Sequence, residues 1–374
     1  MAKEGLLPEG WPLAQLPGFL LLFAVGVIGI WVAQPTNALL SSIIAPEAGK
    51  TVGGVFHFLL ATIIVGVIIT NTVGVPKWAE KGVGTYKFWL YAGIVALGGR
   101  LSLDVVLGKA PVVLLIVPFK IVFTIAVASW LVSKMAISDT FGSTLITGVT
   151  ICGVSAAVGT AGAIGAKEEE MGYTVAAILL WGAITMFTLP YIGLALGLNP
   201  AVFGIWTGVA VHNTAQATAV GSIYGGLLEG SGEMVKFGGM ETVDYAVLTK
   251  MVRNAFMGLV VLYFAMMHAK LGASGKEIKY KGRFLWDKFP KFILGFILVM
   301  LFATFGLLDK AAVKATKNIY GWFFLWTFAG VGLRTKISDM KKSGKEPAIM
   351  YGVTKLIVAS TTLLVIYMIF TPFL

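Results

Sequence analysis

Apolar runs of about twenty residues recur along the chain from Gln15 to the C-terminus, separated by short polar or glycine-rich links. A run of that length is long enough to cross a bilayer as an α-helix, in which every backbone polar group is paired within the segment. The pattern predicts about eleven spans, at 15–33, 52–72, 84–99, 110–133, 141–165, 172–196, 201–223, 243–268, 290–308, 318–333 and 347–370, with a short interfacial helix over 36–48. The first run has no small-residue cleavage site after it, so it is read as a span and not as a signal peptide. The expected fold is an all-α polytopic membrane protein, one transmembrane domain over 1–374 with approximate repeat halves 52–196 and 201–370.

Two of the runs are interrupted. Gly148 to Ala157 reads Gly-Val-Thr-Ile-Cys-Gly-Val-Ser-Ala-Ala, and Gly208 to Ala217 reads Gly-Val-Ala-Val-His-Asn-Thr-Ala-Gln-Ala. Unpaired polar groups are costly in lipid, so these clusters are expected to face a cavity or another helix. Gly153 and Asn213 are the expected break points, because Gly and Asn tolerate non-helical backbone. A broken helix presents free N–H groups and a positive dipole end to an anion. Thr150, Cys152, Ser155, His212, Thr214 and Gln216 are the residues expected to line such a site. For Ser155 alone, a plain helix-packing role is the simpler reading. His212 has the chemistry of a proton carrier, a hydrogen-bond donor to substrate or a satisfied structural group. His57 and His268 read as structural or interfacial.

Composition narrows the class. Of 374 residues 57% are hydrophobic and 13% charged, and the mean hydropathy is +0.86, where a soluble domain carries about a quarter charged residues. The 46 glycines suit close helix packing in lipid. A single cysteine, Cys152, excludes an internal disulfide, and the three histidines have no zinc spacing. No nucleotide-binding motif is present, and no nucleophile–base pair is legible, so neither ATP-driven transport by this chain nor an enzyme is expected. The net charge of +11 is better assigned to cytoplasmic loops and anionic lipid than to nucleic acid.

Charge also sets the orientation. Counted over the eleven spans, 17 loop-side Lys and Arg fall on the side of the N-terminus and 8 on the other, which makes the N-terminus cytoplasmic and the C-terminus external in a cell (inner) membrane. The other four of the 29 basic residues, Lys120, Lys250, Arg253 and Lys355, lie inside predicted spans. Lys120 is central. Lys250 and Arg253 share a helix face with Asn254 following, and these two and Lys355 are close enough to helix ends that snorkelling to the interface is an equal reading. No carboxylate is as deep as Lys120, and Glu168 to Glu170 reads as a solvated turn. A cation pathway normally needs buried acids, so this asymmetry points to an anionic substrate, with Lys120, and with it Lys250, Arg253 and Lys355, expected at the site either to balance the substrate's charge or to stand in for a coupling cation.

Two self-similarities suggest a repeat. One is the pair of interruptions. The other joins Leu97–Ser133 with Ala329–Met368, where a glycine-rich end (Gly98-Gly99-Arg100-Leu101, Gly330-Val331-Gly332-Leu333) leads to a helix with a lone lysine, Lys120 or Lys355. Their glycine-rich ends lie seven spans apart, which gives opposite orientations, as inverted repeats of secondary transporters require.

Ile151-Cys152-Gly153-Val154-Ser155-Ala156, Val211-His212-Asn213-Thr214-Ala215-Gln216 and Lys250-Met251-Val252-Arg253, in this order, resemble the YeiH-like family of membrane proteins described as sulfate exporters. The similarity runs from the second span to the end, and Leu227–Gly239 and Glu168–Glu170 depart from its pattern. Residues 148–166 are more distantly similar to the crossing helix of bile-acid/sodium symporters and sodium/proton antiporters. The resemblance implies crossed broken helices in a core domain, a panel domain and alternating access. The function expected is secondary active transport, as an exporter, of a small anion such as sulfate, sulfite or an organic sulfonate or carboxylate. A sodium- or proton-coupled symporter or antiporter for another solute, and an anion channel, are the competing readings. The expected partners are a small anionic substrate, a coupling proton or sodium ion and the lipid bilayer, with a homodimer allowed, and no cofactor.

Overall fold

The computed structural model describes residues 15–44, 58–135, 137–270, 281–341 and 344–370. His57, the start of the second predicted span and the end of the 36–48 segment lie outside them. In chain order the helices are α1 (Leu16–Ile44), α2 (Phe58–Thr72), α3 (Lys77–Val83), α4 (Tyr86–Leu97), α5 (Leu103–Val132), α6 (Asp139–Thr150), α7 (Val154–Ile164), α8 (Glu168–Ala195), α9 (Pro200–Ala210) and α10 (Thr214–Ser231). A two-stranded hairpin, β1 (Lys236–Phe237) with β2 (Met240–Glu241), precedes α11 (Thr242–Ala255), α12 (Met257–Lys270), α13 (Lys281–Lys288), α14 (Phe292–Thr304), α15 (Lys310–Leu333), α16 (Ile337–Lys341) and α17 (Lys345–Val365). Among the described residues, five stretches are long and apolar enough to cross a membrane: Leu16–Thr36, Pro111–Val132, Glu168–Ala195, Thr242–His268 and Lys345–Met368. Large apolar side chains on these helices, such as Trp31, Leu115, Val122, Leu356 and Leu364, face outward, as a lipid-embedded surface requires. The 36–48 segment is not separate, since α1 runs unbroken to Ile44.

The helices sort into two groups. One packs α1, α2, α4, α14 and α15 together, and the other packs α5 to α12 with α17. The first group closes through glycine: an added Cβ at Gly66 would lie 2.9 Å from Gly332 Cα, so α2 and α15 touch backbone to backbone.

The two interrupted segments are broken where expected, but neither passes through the membrane. A continuous crossing would hold Ser138 and Glu170, at the outer ends of the α6–α7 unit, about 40 Å apart. Instead Ser138 Oγ donates to Glu170 Oε1 at 2.5 Å and Thr140 Oγ1 to Oε2 at 3.0 Å. A Cβ at Gly148 would lie 3.6 Å from Ala157 Cβ, so α6 and α7 lie side by side. The same holds for α9 and α10, where the rings of Phe203 and Tyr224 stack at 3.7 Å and Tyr224 OH donates to Leu198 O at 2.5 Å. Both units are re-entrant helical hairpins, a form of irregular backbone tolerated at membrane depth when protein surrounds it. Helix α8, 28 residues and about 42 Å long, joins the base of one hairpin to the base of the other, so they enter from opposite faces and meet tip to tip.

The local sequence explains the hairpins. Ser138 caps α6 by accepting from Phe141 N, and Asn199 caps α9 by accepting from Val202 N at 2.9 Å, with Pro200 in the first helical position. Gly165, at φ +70°, ends α7 in the left-handed region and turns the chain into α8. Glu168–Glu170 is the first turn of α8 rather than a solvated loop: the helix N-terminus favours acids, and Glu170 ties the hairpin base together. Leu227 to Ser231 likewise continues α10 instead of forming a loop.

Candidate functional site

The hairpin tips are Ile151–Gly153 and Val211–Asn213. Gly153 adopts φ +75° and ψ −121°, which only glycine takes without strain, and an added Cβ there would lie 3.8 Å from His212 Cβ and 3.9 Å from Asn213 N. The tips are therefore in contact. Each tip is the C-terminal end of one half-helix and the N-terminal start of the next, and the two kinds of end are treated differently.

The C-terminal ends of α6 and α9 are closed by buried cations. A helix leaves its last four carbonyls without helical partners. In α6, Thr147 O and Gly148 O accept from Ile151 N and Gly153 N. Val149 O and Thr150 O take Lys120 Nζ at 3.1 and 2.7 Å, together with Arg253 Nη2 at 3.2 Å and Nε at 2.9 Å. In α9, Thr207 O accepts from Val211 N, and Arg253 Nη1 donates to Gly208 O at 3.3 Å, Val209 O at 3.0 Å and Val211 O at 3.0 Å. Lys250 Nζ bridges the tips themselves, donating to Ile151 O at 3.0 Å, Val211 O at 3.1 Å and His212 O. Lys250 and Arg253 sit one turn apart on α11, so one helix staples both hairpins.

Lys120, Lys250 and Arg253 are fully buried and Lys355 is 3% exposed, so none of the four snorkels. Lys355 differs from Lys120 in its partners, donating to Trp181 O at 3.1 Å and Thr185 Oγ1 at 2.7 Å on α8. Among the described residues none of the four meets a carboxylate: buried Asp244 pairs with Arg100 at 2.9 Å, and Glu170 is at a hairpin base. Two half-helix C-termini supply about one negative charge in all, against four cations. With all four side chains protonated, the tip region carries a surplus of positive charge.

The N-terminal starts of α7 and α10 add to it. Among the described residues the backbone N–H groups of Val154 and Ser155 in α7, and of Thr214 and Gln216 in α10, have no backbone partner, as the first turn of a helix dictates, while that of Ala156 turns to the Cys152 sulfur. Asn213 caps α10, its Oδ1 accepting from Ala215 N at 2.9 Å. Thr214 Oγ1 accepts from Asn254 Nδ2 at 3.0 Å, which ties this start to α11. Ser155 is exposed and Asn213 and Thr214 half-buried, so the two starts have an open side.

The other expected residues divide. Thr150 contributes its carbonyl, while its hydroxyl bonds back to Ile146 O at 2.6 Å. Cys152 Sγ lies 3.5 Å from Met257 Sδ. His212 is buried with its ring edge-on to Tyr351, centroids 5.1 Å apart, and its Nδ1 has no partner among the described residues. Gln216 is buried against Gly182, where a Cβ would lie 2.4 Å from its Oε1. Sequence reasoning missed the roles of Tyr351, Met257, Gly182 and the Thr214 partner Asn254. It also missed a cluster on the face of the membrane where α11 begins: Arg100 bonds Asp244, Glu241 and, at 2.5 Å, Tyr320 OH, linking the turn after α4, the start of α11 and α15. Only Asn254, adjacent to Arg253, carried a signal.

Comparison with known proteins places the chain among membrane proteins of one family. No solved structure matches the chain. A UPF0324 membrane protein of Nitratidesulfovibrio vulgaris is 34% identical over 334 residues, covering 88% of this chain and 86% of that protein. A UPF0324 membrane protein of Bacillus cereus is 29% identical over 291 residues, 77% of this chain and 80% of that one. The UPF0324 membrane protein RB9488 of Rhodopirellula baltica is 26% identical over 360 residues, 90% of this chain but 62% of that longer protein. The model of the family "Conserved hypothetical protein 698" matches residues 17–351. With nearly its whole length matched, the chain belongs to this family of multi-pass UPF0324 membrane proteins.

Proposed function

We propose that the protein is a secondary active transporter that binds a small anion between the N-terminal starts of α7 and α10 and moves it by alternating access of the hairpin-bearing group against the α1–α2–α4–α14–α15 group. The observation that carries this reading is the asymmetry at the tips. The carbonyl ends are occupied by Lys120, Lys250 and Arg253, and the amide ends are open. Fixed cations on one side and free N–H groups on the other favour an anion over a cation or neutral solute. The substrate class is sulfate, sulfite or an organic sulfonate or carboxylate, exported across the inner membrane, with no cofactor and no chemical step.

The hairpins entering from opposite faces support an inverted-repeat arrangement, although the repeat unit is a hairpin and not a crossing helix. Treating the two units as re-entrant moves Lys167 to the N-terminal side of the membrane. That strengthens the case for a cytoplasmic N-terminus and leaves the C-terminus external. His212, at the tip with an unpartnered ring nitrogen, is the candidate for the proton-linked group.

A thermal-shift screen of the purified protein against these anions tests the reading. One class should raise the melting temperature in proportion to the logarithm of its concentration, and Asn213→Asp should abolish the shift. Stabilisation by cations alone would overturn the reading.

A further inference from the structure

Three backbone carbonyls converge on the Lys250 ammonium. Ile151 O, Val211 O and His212 O come from the unwound tips of both hairpins and converge on one point, which Lys250 Nζ occupies within 3.1 Å of each. The point is fully buried, and among the described residues no carboxylate is near enough to neutralise the charge. Unwound carbonyls and half-helix C-termini are the groups with which transporters hold a coupling sodium ion at the bilayer midplane. They suit such an ion because carbonyl dipoles replace its hydration shell without adding a net charge.

We propose that Lys250 is a tethered replacement for an alkali cation: its ammonium fills a carbonyl site that would otherwise bind Na⁺, so anion binding by this protein is independent of sodium. A tethered charge supplies the same electrostatic support to the tips as a bound ion but cannot be released on either side, so a sodium gradient has nothing to act on. Lys120 and Arg253 reinforce this, since they hold the neighbouring carbonyls of Val149, Thr150, Gly208 and Val209. Removing the Lys250 side chain while leaving the carbonyls in place exposes the site. The proposal deepens the transporter reading by naming its ion dependence, but the cation site stands on its own geometry and is tested without any anion.

The experiment compares full-length wild type and Lys250→Ala, purified in sodium chloride, potassium chloride or choline chloride, by thermal unfolding. The wild type should melt at the same temperature in all three. Lys250→Ala should melt lower in choline and regain about 2 °C or more in sodium, saturably. Lys250→Met, which fills the space with an apolar chain, should show no such recovery. A Lys250→Ala protein that melts identically in sodium and choline overturns the proposal. If that variant does not fold in any salt, wild-type anion binding decides: equal affinity in sodium and choline supports the tethered cation, and sodium-dependent affinity overturns it. Failure of all anions to bind, with sodium still stabilising Lys250→Ala, would count against the anion site and leave the cation site standing.

Discussion

Arg253 holds Thr150 by its main chain and not by its side chain. Its Nε donates to the Thr150 carbonyl at 2.9 Å, while the Thr150 hydroxyl is turned back to Ile146 O at 2.6 Å. With its other nitrogens on Val149, Gly208, Val209 and Val211, this guanidinium joins the ends of two helices that enter from opposite faces. A flat fork of donors matches such a spread of acceptors better than a point charge does. Replacing Arg253 with Met should therefore cost about 3 kcal/mol or more, because buried carbonyls lose their donors together. Lys at this position should recover only part of it. Thermal unfolding in detergent checks both.

Asn213 offers a change that separates structure from binding. Asp caps a helix as well as Asn does, so Asn213→Asp should keep the cap on Ala215 N and leave the melting temperature within about 2 °C. It also sets a negative charge at the start of α10, where the anion is to bind. Anion affinity should fall at least tenfold in an equilibrium binding assay. Unchanged affinity would remove the α10 start from the site.

Gly208 marks a close approach of the second hairpin to α11: a Cβ there would lie 2.5 Å from Thr249 Cβ. Gly208→Leu forces these helices apart. It should destabilise by about 1–3 kcal/mol, as overpacking does, and weaken the staple made by the adjacent Arg253. Gly162, with open space around its Cα, is the control: Gly162→Ala should be neutral or slightly stabilising.

Arg100 ties the two helix groups together through Asp244, Glu241 and Tyr320. If the groups move against each other, this cluster closes the site on the face where α11 begins. In a Cys152→Ala background carrying Ser155→Cys, a membrane-impermeant thiol reagent applied from that face should react several-fold faster when Arg100→Gln is added. Equal rates would mean that the cluster is not a gate.

The break points were legible in the sequence because they depend on local chemistry: Gly153 takes a backbone angle that few residues take, and Asn213 is a good helix cap. Lys120 was legible as a buried cation because a lysine central to an apolar run stands out, whereas Lys250, Arg253 and Lys355, nearer helix ends, read equally well as snorkelling. The hairpins were not legible. An apolar stretch of 25 residues interrupted in the middle reads the same whether it crosses or doubles back, and the contacts that decide it, Ser138 with Glu170 and Phe203 with Tyr224, join residues on different elements. The cations' partners were hidden for a similar reason. They are carbonyls, which every residue carries, so no side-chain pattern could announce them.

The central claim is that an anion sits on the amide ends of α7 and α10, with Lys120, Lys250 and Arg253 behind it on the carbonyl ends. The most direct test is a structure of the protein with an electron-dense anion such as selenate, located by anomalous scattering. The account predicts density within hydrogen-bond reach of the Ser155 and Gln216 amides. Density in direct contact with Lys120 or Arg253, with their carbonyl bonds broken, would contradict it.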